Sequence, residues 1–325
     1  MKGKLLPGLG LALLLAACGG SEGVAGNEAG GSGSGVYSKP TRSVPYVSGH
    51  RGGSAYAPED TMTSYRNGAR IGIDDFETDS YLSADGVLVL IHDATLDRTT
   101  NCSGKVTVMT LAQLRQCDAG YWYSPGQSTT SPDDSLPHPL RGKGVVIPTA
   151  QELFDFAGSL GRYGPSVTIE IKESGQGGDD TAAALVDLIH NSGIQDRIVV
   201  QSFNRGPLEQ LHKLDPAIKT LFLSNLATPG LLITEADGFD FTSVSSSAPD
   251  QTQGYVDSAH NAGKKVVPWT PDSVSDLNKF IGYGVDGIIT NYPACLMQLL
   301  GRPIPARVLA PEIEGFDNFG PCQAS

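Results

Sequence analysis

Basic residues are few and scattered in this chain of 325 residues, where 23 Lys and Arg face 35 Asp and Glu for a formal net charge of −12. With no basic stripe to neutralise a phosphate backbone, the chain is a poor partner for nucleic acid. Neither GxxxxGKS, GxxxxGKT nor GxGxxG follows a candidate strand, which argues against a kinase or nucleotide-binding protein. There are five cysteines, no CxxC, and no histidine at ligand spacing from any of them, so a zinc site is disfavoured. Beyond the N-terminus no segment is long and apolar enough to cross a bilayer, and no internal repeat is visible. What is present is 39% hydrophobic residues, enough to bury a core, with 40 Gly and 21 Pro. At this length one large domain or two ordinary ones are possible, so organisation must decide.

The N-terminus carries Lys2 and Lys4, an apolar run from Leu5 to Leu15 and then small residues, the layout of a secretory signal over 1–17. Leu15-Ala16-Ala17-Cys18 resembles a bacterial lipobox, in which Cys18 carries the lipid and becomes the first residue of the mature chain. The alternative is an ordinary signal peptide with a coincidental cysteine. Residues 18–44 are mostly Gly, Ser, Ala and Glu near their start and read as a flexible tether. The expectation is an exported protein of the bacterial cell envelope, held to a membrane through Cys18. Cys102, Cys117, Cys295 and Cys322 remain, and the sequence-local pairs 102 with 117 and 295 with 322 are expected as disulfides.

Short apolar runs alternate with helical patterns over 45–300. Strands are expected at 45–48, 74–79, 87–91, 167–172, 198–202, 219–223, 241–244, 265–269 and 287–290. Helices are expected at 61–70, 149–157, 179–191, 206–214, 251–262 and 274–283. Strand then helix, repeated about eight times, predicts an α/β fold of the TIM-type (β/α)8 barrel. One interval breaks the rhythm: residues 94–146, rich in Gly, Pro, Ser and Thr, read as an insertion after the second strand region. Residues 301–325 read as a C-terminal extension.

Barrel sites gather at the C-terminal ends of strands, and polar residues collect there. Glu77 and Asp79 are spaced i, i+2, so on a strand both carboxylates point one way, and Glu170 arrives from another strand end. Three carboxylates without thiol or imidazole favour Ca2+ or Mg2+ over zinc; a solvated edge or salt bridge is the alternative. His50 and His92 each follow a strand, and histidine is the residue type suited to proton transfer near neutral pH, so one could take a proton while the other gives one; an ordinary histidine with a satisfied hydrogen bond is the alternative for each. His138, His190, His212 and His260 lie in the insertion or in polar helical stretches and read as ordinary hydrogen-bonded histidines. Arg51 and Lys172 suit phosphate oxygens; the alternative is that they merely hold the acidic residues apart. Trp269 is either a pocket wall or barrel core, and Tyr121-Trp122-Tyr123 is either a lid or packing for the insertion.

Gly49-His50-Arg51-Gly52, Pro58-Glu59-Asp60-Thr61, Glu77-Thr78-Asp79, Asp85-Gly86, His92-Asp93 and Arg98-Thr99-Thr100 form an ordered set. Ile169-Glu170-Ile171-Lys172, Gln201-Ser202-Phe203, Trp269-Thr270 and Gly284-Val285-Asp286-Gly287-Ile288-Ile289-Thr290 continue it. Together they resemble the glycerophosphodiester phosphodiesterase family from about Tyr46 to Pro293. The resemblance implies His50 and His92 as the catalytic pair and hydrolysis to glycerol 3-phosphate and an alcohol through a cyclic phosphate. It makes Glu77, Asp79 and Glu170 the holders of one divalent cation; Ca2+ is preferred over Mg2+ because exported sites commonly meet it, and Glu59 is expected in the hydrogen-bond shell around histidines and metal. Asp60 stands where the family usually has Asn, and Asn291 where Asp is common; neither is assigned to the chemistry. Alternatives are a lysophospholipase D or phospholipase C-like enzyme, or a non-catalytic surface lipoprotein that binds such ligands. The carboxylate trio argues against a metal-free phospholipase C.

Overall fold

The computed structural model describes residues 44–225, 238–248 and 251–304. The signal segment, Cys18 and the tether up to residue 43 lie outside the described residues, as do the C-terminal extension beyond residue 304 and Cys322. In chain order the strands are β1 (Tyr46–Gly49), β2 (Asp75–Leu82), β3 (Leu88–Leu90), β4 (Ser166–Ile171), β5 (Ile198–Ser202), β6 (Lys219–Ser224), β7 (Phe241–Val244), β8 (Lys265–Val266) and β9 (Gly287–Thr290). Eight of them are parallel neighbours in the order β8-β7-β6-β5-β4-β2-β1-β9. The ends meet: Asp286 N donates to Val266 O at 2.9 Å and Ile289 N to Pro268 O at 3.0 Å, which nearly closes a TIM-type barrel.

These segments are strands because both faces are covered. Ile198–Ser202 and Ser166–Ile171 are buried along their whole length, as parallel strands under helices must be. The helices begin where hydroxyl side chains can receive the first backbone N–H groups. Thr61 opens α1 (Met62–Ile71) by accepting from Ser64 N, and Thr149 with Glu152 forms a capping box ahead of the insertion's return helix, Ala150–Ser159. No helix among the described residues is long and apolar enough to cross a membrane.

One expected barrel strand is something else. β3, anticipated over 87–91 as a member of the strand–helix series, pairs antiparallel with β2, Ser80 opposite Leu90 and Leu82 opposite Leu88. A parallel neighbour needs a crossover of about a dozen residues or more, and the chain between β2 and β3 is far too short for one. Asp85-Gly86 makes the turn instead, with Gly86 at φ 77 and its N–H on Ser83 O at 2.9 Å. His92 therefore reaches the mouth of the barrel from a hairpin, and β4 takes the place beside β2.

The apolar residues form three groups. The largest lies between barrel and helices and includes Phe76, Ile169, Leu185 and Phe280. A second fills the barrel with Val199, Leu221, Phe241, Val267 and Ile289. The third, around Leu96, Val106, Leu114 and Ile147, belongs to the hairpin and insertion. There Cys102 and Cys117 are joined as expected, Cα atoms 5.6 Å apart. Cys295 is also disulfide-bonded; its expected partner Cys322 lies outside the described residues.

Candidate active site

β1 ends in a tight turn over His50–Gly52. Arg51 takes a left-handed conformation, φ 52, held by its N–H on Glu77 Oε2 at 2.8 Å and its carbonyl on Asp60 N at 3.1 Å. Gly52 follows at φ 83, where a Cβ would lie 2.4 Å from Ser64 Oγ, so the backbone conformation and the close approach both require glycine. The turn sets His50 and Arg51 side by side at the mouth of the barrel.

The expected alternation of β2 brings Glu77 and Asp79 to that mouth, and the register sets Asp79 opposite Glu170. One ligand atom from each of Glu77, Asp79 and Glu170 lies within 4.8 Å of the others, and all three residues are buried. Burial and mutual repulsion hold the Glu77 carboxyl well above its ordinary range and push Glu170 up to about 8. Asp79 lies below its ordinary range: burial opposes ionisation, and the charges of Lys172 and Arg51 outweigh it. Lys172 Nζ is 3.3 Å from Asp79 Oδ1 and 3.2 Å from Glu170 Oε1. Asp79 Oδ2 is buried without a hydrogen-bond partner. A buried all-oxygen cluster with excess negative charge and an orphaned oxygen fits a hard divalent cation.

The two histidines are held through Nδ1. His50 Nδ1 lies 2.6 Å from Asn291 Oδ1, and Nε2 is 3.9 Å from Glu77 Oε2. Burial first, then the neighbouring Arg51 charge, drive the His50 pKa down to about 3, so the imidazole is neutral. His92 Nδ1 lies 2.7 Å from Asp93 Oδ1, and Arg98 Nε donates to Asp93 Oδ2 at 2.7 Å. Arg98 also grips both oxygens of Glu59 at 2.7 and 2.8 Å, and Arg51 Nη1 donates to Glu59 Oε1 at 2.7 Å. Burial opposes the Glu59 charge, yet the two guanidiniums hold its pKa down to about 2.

A cavity of about 290 Å³ opens among these groups, with both histidines, the three carboxylates, Arg51 and Lys172 on its walls. Trp269 lines it too, its ring 5.5 Å from that of Phe203 in a T-shaped pair. The aromatic triplet of the insertion does not: Tyr123 is buried, and Arg141 lies over Tyr121 and Trp122. The insertion instead supplies Thr129, on a segment tied by Ser54 Oγ to Ser128 O at 3.1 Å and by Arg98 Nη1 to Thr130 O at 3.1 Å. His138, His190, His212 and His260 are each hydrogen-bonded away from the cavity, to Tyr123 O, Asp215, Thr220 and Asp286.

Two residues with no expected role touch the site's key groups. Gln201 donates to Glu77 Oε1 at 2.7 Å, and Asn291 bonds to His50. Both lie within motifs that carry the family resemblance or directly follow one, which was the available signal. Arg51 is turned more toward Glu59 and Asp79 than its expected role on phosphate suggests, its Nε 3.4 Å from Asp79 Oδ2 and without a hydrogen bond.

Comparison with known proteins agrees with this geometry. The chain is 30% identical over 259 residues to a glycerophosphodiester phosphodiesterase of Caldanaerobacter subterraneus subsp. tengcongensis, covering 79% of this chain and 98% of that one. A phosphodiesterase of Oleispira antarctica, solved with the product sn-glycerol-3-phosphate, superposes with a TM-score of 0.67 at 26% identity, over 79% of this chain and 97% of the other. The glycerophosphodiester phosphodiesterase of Agrobacterium tumefaciens shares the fold, with a TM-score of 0.61 at 24% identity over 78% of this chain and 99% of the other. The family model for glycerophosphoryl diester phosphodiesterases matches residues 50–295, from the first histidine of the cavity to the last helix, and the chain belongs to that family.

Proposed function

We propose that the chain hydrolyses glycerophosphodiesters to glycerol 3-phosphate and an alcohol in a metal-dependent reaction, with His50 as base and His92 as acid. The observation that carries this reading is the meeting, in one cavity, of two Nδ1-tethered histidines and a buried three-carboxylate cluster. The similar Oleispira antarctica enzyme binds the product this reaction would release.

Glu77, Asp79 and Glu170 would hold the cation, Ca2+ in preference to Mg2+. When bound, it supplies Lewis-acid stabilisation of charge on phosphate and nucleophile oxygens. His50 Nε2 removes the proton from the glycerol hydroxyl next to the phosphate, and that oxygen attacks phosphorus. The bond from phosphorus to the alcohol oxygen breaks, and His92 gives that oxygen its proton. In the second half His92 takes a proton from water, the water oxygen opens the cyclic phosphate, and His50 returns its proton to the glycerol oxygen. Lys172 and Arg51 neutralise phosphate oxygens throughout. Trp269 borders the glycerol. Export and lipid attachment through Cys18 belong to the same proposal, supported by the N-terminal sequence.

The purified protein should release glycerol 3-phosphate from glycerophosphocholine, lose that activity to a chelator, and regain it with Ca2+. Glu77→Gln and Asp79→Asn should weaken Ca2+ binding by calorimetry. Phosphorus NMR should reveal a transient cyclic phosphate, and a substrate analogue lacking the neighbouring hydroxyl should bind but not turn over. Equal turnover by the native protein, the chelated protein and His92→Ala would overturn the reading.

A further inference from the structure

The geometry points to Asp272 and Asn291 as a two-residue positioning relay that sets which nitrogen of His50 carries the proton; this rests on the assignment of His50 as the base. Asn291 Nδ2 lies 2.6 Å from Asp272 Oδ2. A carboxylate only accepts, so the Asn291 atom facing it must be the amide NH2, and the atom facing His50 must be the amide oxygen. Ser54 Oγ lies 2.5 Å from that same oxygen and 3.1 Å from Ser128 O, so its single proton is shared between two acceptors. An oxygen 2.6 Å from His50 Nδ1 requires a proton there, which leaves the lone pair on Nε2, the nitrogen that must accept a proton from substrate.

Asp272 is itself pinned. Thr290 Oγ1 and Asn291 N both donate to its Oδ1 at 3.0 Å, so its second oxygen has one direction left, toward the Asn291 amide. Asp272 is not among the residues that line the cavity and its bonds go to Thr290 and Asn291, so it acts through the orientation of one amide group.

Replacing Asp272 by Asn puts an NH2 where Oδ2 was, donor against donor. Turning the Asn291 amide over removes the clash but presents NH2 to His50 Nδ1, which then has to accept, and the proton moves to Nε2. A base in the wrong tautomer loses up to about 10⁴ in kcat. Asn291→Asp alone sets two carboxylates against each other and should also fail. The two changes together restore compatibility, since Asp at 291 accepts from both Asn at 272 and His50 Nδ1–H.

The test is a double-mutant cycle with a direct readout of the tautomer. Asp272→Asn and Asn291→Asp should each lower kcat by about 10² or more with KM changed much less. The combined variant should return to within about 10-fold of the native kcat. ¹⁵N NMR of histidine-labelled, folded protein should find His50 protonated at Nδ1 in the native and combined variants and at Nε2 in Asp272→Asn. A native kcat or a native Nδ1–H signature in Asp272→Asn overturns the relay, as does a combined variant no faster than either single one. His50→Ala, run alongside, separates the two ideas: if it turns over normally the base assignment fails, and if it is inactive while Asp272→Asn is native only the relay fails.

Discussion

The two histidines of the cavity are each held through Nδ1, yet the two sides of the site hold them by opposite chemistry. On the barrel side, His50 rests on a neutral amide at the end of β9, and burial keeps the ring uncharged. On the insertion side, His92 rests on Asp93 within an ionic chain in which two carboxylates, Asp93 and Glu59, alternate with two guanidiniums, Arg98 and Arg51. The barrel positions its histidine with a strand end already fixed by a hydrogen-bonded ladder, so one amide suffices. His92 instead follows a three-residue strand paired with β2 alone, and long-range ion pairs complete its support. Since Arg51 neighbours His50, the ionic chain also ties the insertion side of the site to the barrel side.

Removing each histidine in turn should separate the two sides most strongly. Both alanine variants should lose about 10²–10⁴ in kcat on an alkyl diester. On an aryl ester, whose alcohol departs as a stable anion, His92→Ala should recover most of the loss and His50→Ala none. Equal recovery would mean that the two sides do not divide the acid and base roles.

Glu59→Gln tests the ionic side alone. Removing a charge from a buried pair costs about 3–5 kcal/mol, so the denaturant midpoint should fall clearly. Glu59 is lowered from 4.5 to about 2 on folding, so its contribution of roughly 3 kcal/mol is complete above pH 4.5 and is lost as pH falls from 4.5 to about 2. Native protein should lose stability steeply across that window, and Glu59→Gln should show a flatter acid limb. Identical acid limbs would show that this carboxylate is not held by the two arginines.

The smallest effect is expected at the bridge. Cys102 and Cys117 are separated by 15 residues, and opening such a loop removes about 3 kcal/mol in the chain-entropy model. Replacing both cysteines by serine should lower the midpoint by that order while the His50 ¹⁵N signals stay where they are. Movement of those signals would mean that the insertion reaches into the barrel-side clamp.

Much of this molecule was legible because its signals are local. Strand and helix periods repeat within a few residues, the i, i+2 spacing of Glu77 and Asp79 puts them on one face, and Cys102 and Cys117 are near neighbours in the chain. The hairpin at β3 is not legible in the same way: Asp85-Gly86 is a turn signal, but an apolar run of strand length looks the same whether it joins the barrel or folds back beside β2. The clamps on the catalytic groups could not be read that way. Asn291 is 241 residues from His50, and Gln201 is 124 from Glu77. The alternating elements and the residue types able to bind a cation and move protons follow from local sequence alone. Only the tertiary structure decided which amide faces His50 and which arginines hold Glu59, because barrel closure brings the first strand against the last and no local pattern carries the register of that meeting.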